Sequence, residues 1–283
     1  MKQLNKILVV NVNWLGDVIF SSPVFTNLRR QYPDAYIACL APSRVKEILE
    51  CIPSIDEVII FDEKGAHKFP WAKLALIMQI RRKKFDAVFL LHRSLTRALL
   101  VWLAGIPVRV GYDEKSRGVF LTHKVKPSLA AHRSDHYLNV IESFGINIIS
   151  REAFLKVDSE SIKVADEILK NEGIAPEKSF IAVHVGGNWD LKRWPKENWQ
   201  SLISQLLAEN KCQVLVTGAF SDISLIDTIC SPLKIKPVRS PKAKWPILNV
   251  RLKSEMKILS SCGRENWIRC RPSPTGNCAS KVM

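Results

Sequence analysis

Seven short runs of β-branched and apolar residues, separated by amphipathic helical stretches, leave this 283-residue chain few possible architectures. Lys6–Val12, Tyr36–Leu40, Glu57–Phe61, Phe85–Leu91 and Arg109–Gly111 read as strands, with helices at about Asp17–Gln31, Pro70–Lys83 and Leu95–Ala104. After a helix over roughly Asp135–Phe144, a second series follows: helix Ser161–Asn171, strand Phe180–Val185, helix Glu197–Glu209 and strand Gln213–Thr217. Trp199, Leu202, Ile203, Leu206 and Leu207 fall on one helical face. Strands alternating with helices require a parallel sheet covered on both sides, because each crossover lays a helix on the sheet. The pattern predicts an α/β protein of two doubly wound, Rossmann-like halves joined near residues 145–160.

The second half is incomplete on this reading. From Ser231 the periodicity decays, interrupted by Pro232, Pro237, Pro241, Pro246, Pro272 and Pro274. The formal charge is +15, and residues 231–283 hold twelve Lys and Arg against Glu255 and Glu265, so ten of those charges lie in the tail. The expected division is an N-terminal domain over 1–150, a partial C-terminal domain over 151–230 and a basic irregular tail over 231–283. That tail lacks the stacking aromatics, zinc pairs and amphipathic face of known binders, so no nucleic-acid partner is expected.

Seven Cys, of which Cys39, Cys51, Cys212 and Cys230 show neither a disulfide framework nor a CxxC spacing, suit a reducing compartment. Cys262, Cys270 and Cys278 recur every eight residues, too open for a zinc knuckle, and no metal site is expected. The N-terminus lacks a signal-peptide pattern, and the longest apolar stretch, Ala98–Val108, is far short of the roughly 20 residues of a spanning helix. A cytoplasmic protein is expected.

Two segments carry chemistry. At the first strand–helix turn, Gly16 allows a tight turn and Asp17 falls at or beside the helix N-cap, at the strand end where open α/β sheets place ligands. Spacing alone leaves Asp17 either a capping residue or a catalytic carboxylate. There is no GxGxxG fingerprint and no Walker A spacing. In the second half, Gly186-Gly187 ends a strand and Lys192-Arg193 precedes a helix, a combination that suits a diphosphate. Plain solvated charge gives the same pattern. His184, on a strand expected to be buried, reads as a packed histidine.

Gly-Asp at the first turn, Ser-x-Pro in the following helix and HxGGxWxxKRWPxExW from His184 to Trp199 together resemble the glycosyltransferase family that contains the lipopolysaccharide heptosyltransferases. Leu91-His-Arg-Ser-Leu-Thr-Arg, Ala104–Tyr112 and His132–Leu138 fit it in the same order, and the likeness covers about residues 5–230. The resemblance implies a GT-B fold and an inverting, metal-independent enzyme without cofactor, moving heptose from ADP-heptose to a lipid A–core acceptor in peripheral contact with the inner face of the inner membrane. It implies that Asp17 is the general base and that Lys192 offsets charge on the departing diphosphate. Gly186, Gly187, Asn188 and Arg193 would hold the donor phosphates, and Asp222 its ribose. Arg93 and Arg97 would meet acidic groups of the acceptor, or else form surface ion pairs.

Members of that family carry a late Asp-Ser-Gly segment followed by His, which this chain lacks. Charge, Cys, Pro and periodicity all change near 230–238, which reads as a frame-shifted or otherwise aberrant ending. The competing expectations are a transferase of the same fold using another nucleotide sugar, and an inactive remnant or basic binding protein.

Overall fold

The structure is a computed structural model that describes residues 3–114, 116–126, 132–171, 180–187, 189–209, 213–233 and 247–250. It forms two compact units, Met1–Val164 and Ala165–Met283, each with its own sheet.

The first unit holds strands β1 (Lys6–Val10), β2 (Tyr36–Ala41), β3 (Glu57–Ile60), β4 (Ala87–Leu90), β5 (Val108–Tyr112) and β6 (His123–Val125), all parallel, in the order β3-β2-β1-β4-β5-β6. Its main helices are α1 (Leu15–Gln31), α2 (Lys46–Glu50), α3 (Pro70–Lys83), α4 (Leu95–Leu103) and α5 (Arg133–Glu142). This is the doubly wound arrangement expected, with the reversal of strand order between β1 and β4.

Strand periodicity decides which helix covers which face. Ile7, Val9, Ile37, Cys39 and Phe89 belong to one core with Val18, Phe25 and Leu28 of α1 and Tyr137, Val140 and Ile141 of α5. Leu8, Val10, Leu40, Val88 and Leu90 face the other, with Leu76 and Ile80 of α3 and Ala98, Leu100 and Val101 of α4. A fully buried Leu, Ile or Phe is worth about 1.5–3 kcal/mol, so both sheet faces contribute to the unit's stability.

Helix α1 carries Pro23 in its interior, which cannot donate to the carbonyl of Ile19. The Ser22 hydroxyl donates to that carbonyl at 2.8 Å, and so supplies the bond that proline removes. Buried Asn27 then ties the helix to the chain after α5. Its Oδ1 accepts from the backbone N–H of Ile149 (2.7 Å) and Ser150 (3.1 Å), and its Nδ2 donates to the Pro23 and Ser150 carbonyls. The backbone N–H of Lys156 also donates to the Cys51 carbonyl. Much of the segment read as the joint between halves thus lies along the first unit.

The second unit contains strands β7 (Phe180–His184), β8 (Gln213–Thr217) and β9 (Ile247–Val250) and helices α7 (Lys196–Glu209) and α8 (Ile223–Cys230), with α6 (Ser159–Asn171) spanning the division between units. β7 and β8 are parallel, whereas β9 is antiparallel to β8. One strand therefore falls inside the segment read as irregular: Ile247-Leu-Asn-Val250 is short and apolar, and pairing on β8 gives it a partner that no local pattern reveals. A small core of Val183, Val185, Ile203, Val214, Val216, Ile226 and Ile229 holds the unit together. Cys39, Cys51 and Cys230 are free thiols, and burial pushes that of Cys230 up to about 11. Cys212, Cys262, Cys270 and Cys278 lie outside the described residues.

Candidate functional site

Chemistry in the first unit collects where β1 and β4 end. A cleft of about 180 Å³ is lined there by Asn13, Asp17, His92, Arg93, Arg133, His136 and Tyr137, together with Val12, Trp14 and Leu91. This is the strand-reversal crevice of the sheet, the place where open α/β sheets bind ligands.

Asp17 stands in the first turn of α1, but it is not the N-cap. Trp14 takes that position in an extended conformation, and no side chain caps the helix. The capping expectation is therefore corrected: a carboxylate three residues into the helix gains from the positive end of the helix dipole while it lines the cleft. Gly16 is corrected too. It has no positive φ, and a Cβ there would meet nothing within 4 Å, so the turn does not require glycine.

Helix α5 packs on α1 and brings Arg133 to Asp17, with Nε 3.2 Å from Oδ1. The bond to Asp17 raises the Arg133 guanidinium further above the neutral range, so it stays a cation. Tyr137, one turn along the helix, is buried, and burial and the Asp17 charge push its hydroxyl upward, so it remains a proton donor. His136 stacks on Tyr112 with ring centroids 4.2 Å apart. Burial, then the charges of Arg93 and Arg133, hold its imidazole below the usual histidine range. Arg93 Nη2 lies 3.0 Å from His136 Nε2, and a guanidinium can only donate, so neutral His136 keeps its proton on Nδ1.

The two arginines expected to meet an acceptor part company. Arg93 lines the cleft, with its Nη1 3.3 Å from Glu114. Arg97 is 2% exposed and points inward, which corrects its assignment to acceptor binding. Its Nη1 donates to the Asn11 carbonyl and its Nη2 to Asn13 Oδ1, both at 2.6 Å. Burial pushes it down to about 10, and its guanidinium lies over the Phe61 ring. It fixes the loop between β1 and α1 from beneath. Asn13 in turn reaches His92, with its Nδ2 3.0 Å from Nε2.

In the second unit, Gly186 and Gly187 follow β7, and residues Asp190–Lys192 form a single 3-10 turn before α7. The Asp222 side chain is 4% exposed. Its Oδ2 accepts from the Ala219 N–H at 2.9 Å, and its Oδ1 lies 3.5 Å from Arg193 Nη2. Both oxygens serve the fold, so Asp222 stands as an anchor of the turn rather than as an open ribose contact. Arg193 is exposed but already engaged in the turn: Nε donates to the Gly187 carbonyl at 3.0 Å and Nη1 to Asp190 at 2.9 Å. Lys192 extends over the exposed Trp189 ring, its Nζ 5.9 Å from the centroid. Both cations expected to act together are exposed, Arg193 tied to its own turn and Lys192 reaching over an indole ring.

His184 is exposed, against the expectation of burial, because only Val183 of β7 is covered; its Nδ1 lies 3.1 Å from Thr217 Oγ1. Asn188 lies outside the described residues. Among the described residues no three His, Cys, Asp or Glu gather as metal ligands, and no helix is long and apolar enough to cross a membrane. Sequence reasoning gave no role to Arg133, His136 or Tyr137, although the run His132–Leu138 that carries them was part of the family resemblance.

Residues 73–230 match the model of glycosyltransferase family 9 (heptosyltransferase). A putative glycosyltransferase of Haemophilus influenzae is 25% identical over 76% of this chain, and lipopolysaccharide heptosyltransferase 2 of Escherichia coli is 25% identical over 77%. The chain spans 64% of the length of each. Among solved structures, a family 9 glycosyltransferase from Veillonella parvula has 24% identity and a TM-score of 0.74, with 80% of this chain and 67% of that one covered. The Escherichia coli ADP-heptose LPS heptosyltransferase II has 23% identity and a TM-score of 0.64, covering 80% and 68%. These likenesses establish the fold class, two Rossmann-like domains of the GT-B type.

Proposed function

Because the chain belongs to glycosyltransferase family 9, we propose that it transfers heptose from ADP-heptose to the inner core of lipopolysaccharide, in the cytoplasm at the inner face of the inner membrane. The observation that carries this reading is the Asp17 carboxylate, partly exposed in a cleft it shares with Arg93 and Arg133 at the strand-reversal crevice. An acceptor hydroxyl must lose its proton as it attacks the anomeric carbon, and Asp17 is the group in this cleft suited to take it. The two arginines suit an acceptor that bears carboxylates or phosphates.

The bond between the acceptor oxygen and the anomeric carbon forms as the bond from that carbon to the diphosphate oxygen breaks. The electron pair leaves with ADP and configuration inverts. Charge then grows on the diphosphate, and in this reading the Lys192 ammonium offsets it, with no metal called for. Gly187, whose carbonyl Arg193 holds, belongs to the loop assigned to the phosphates.

The test is radiolabelled ADP-heptose with heptose-free lipid A–core acceptor. Transfer is expected from the wild-type chain, with a loss of roughly 10²–10³-fold in Lys192→Ala. No transfer at any donor concentration, from a chain that melts cooperatively, would overturn the reading.

A further inference from the structure

Helices α3 and α4 lie side by side on the sheet face away from α1 and α5, and their outward surfaces are apolar. On α3, Leu76 and Ile80 point into the core, yet Trp71, Leu74 and Met78, spaced i, i+3, i+7, point out. Trp71 is 68% exposed, and Phe69 stacks on it with centroids 4.6 Å apart. On α4 the usual polarity is reversed. Its one charged residue, Arg97, is buried, while Leu95, Leu99, Trp102 and Leu103 are exposed.

Contiguous apolar surface of this kind marks an interaction face. Its surroundings indicate the partner. Residues 64–84 carry seven Lys and Arg and no acid, and Lys64 and Lys68 before α3 and Arg81, Arg82 and Lys84 at its end are exposed. Exposed Trp and Leu bordered by cations match the interface of an anionic bilayer, where indole rings sit at headgroup level and Lys and Arg meet lipid phosphates. A second copy of the chain is the poorer match, since a two-fold contact would set one cationic border against another.

We infer that the outward face of α3 and α4 docks the first unit on an anionic phospholipid membrane. Apolar side chains enter the headgroup boundary while the cations flanking α3 hold lipid phosphates. The inference deepens the reading of a lipid-anchored acceptor and rests on it for the identity of the membrane.

Flotation of the full chain with vesicles, without donor or acceptor, tests the docking apart from the transfer. Vesicles of phosphatidylcholine with about 30% phosphatidylglycerol should bind the wild type, at least about tenfold more tightly than pure phosphatidylcholine, and raised salt should weaken binding. Trp71→Glu with Leu74→Glu, and separately Leu99→Glu with Trp102→Glu, should each lower binding about tenfold or more, and Trp71→Phe should retain it. All these positions are exposed, so thermal melts should stay near wild type. Wild-type binding that ignores lipid charge, binding unchanged in both Glu pairs, or a wild-type dimer that the Glu pairs split without any vesicle binding would each overturn the inference. A chain that binds vesicles but transfers no sugar would instead overturn the transfer reading and leave the surface standing.

Discussion

Arg133 Nε lies 3.2 Å from Asp17 Oδ1, a contact across 116 residues of sequence that joins α5 to the first turn of α1. In the proposed reaction Asp17 accepts the acceptor's proton while Arg133 holds the carboxylate in place. Asp17→Asn should cut transfer by about 10²–10⁴-fold, the usual share of a positioned general base, with an unchanged melting curve. Arg133→Ala removes a half-exposed ion pair worth at most about 1 kcal/mol of stability, so its effect should fall on turnover. Steady-state rates beside thermal melts for both variants check this.

His136 gives the first unit a pH dependence. Its imidazole is held below the ordinary histidine value of about 6.5 by burial and by Arg93 and Arg133, so the unfolded chain takes up a proton at higher pH than the folded one does. Stability from neutral His136 is therefore fully present above about pH 6.5 and is lost as pH falls through the depressed value. Urea midpoints measured from pH 7.5 downward should fall with acid, and His136→Gln should flatten that slope.

Arg97→Leu should destabilise the chain without acting on an acceptor directly. The carbonyl of Asn11 and Oδ1 of Asn13 lose their donors, at about 1–3 kcal/mol for each buried orphan, partly offset because no cation is desolvated. A net loss of about 2–4 kcal/mol in a denaturant titration is expected. Full stability in that variant would show that the loop does not depend on the guanidinium.

Gly186 and Asp222 are coupled sterically. A Cβ on residue 186 would lie 2.1 Å from Asp222 Oδ2, so Gly186→Ala must displace the carboxylate that also holds Arg193. A cost of about 1–3 kcal/mol is expected in the wild-type background and much less beside Asp222→Ala. A double-mutant cycle of unfolding free energies reads the difference directly.

Strand and helix periodicity made most of the fold legible. The seven β-branched runs became strands, and α3 begins at Pro70 where proline suits a first helical position. β6 escaped because His123-Lys-Val125 has no alternating pattern; pairing with β5 alone makes it a strand. Asp17 was found from its place after β1, yet its position in the helix was misjudged because Trp14 takes the cap without being a capping residue type. Arg97 shows a limit of another kind. In a helix apolar on every side, the spacing of one arginine does not say which face it takes, and here the loop carbonyl it serves turns it inward. The ion pairs of Arg193 with Asp190 and Asp222, three and 29 residues away, were not legible because they form only in the folded turn.

The amide of Asn27 sets where this protein can be cut. Two of its four hydrogen bonds are donated by the backbone of Ile149 and Ser150, and a third goes to the Ser150 carbonyl. Ending an N-terminal fragment at Glu142, where α5 stops, would leave a buried carboxamide with three of its four hydrogen bonds unmade. A self-sufficient first half has to run on past Lys156, whose N–H closes on the Cys51 carbonyl. Proteolysis of the intact chain should accordingly spare the stretch from Ile149 to Lys156, although it has neither helix nor strand to protect it.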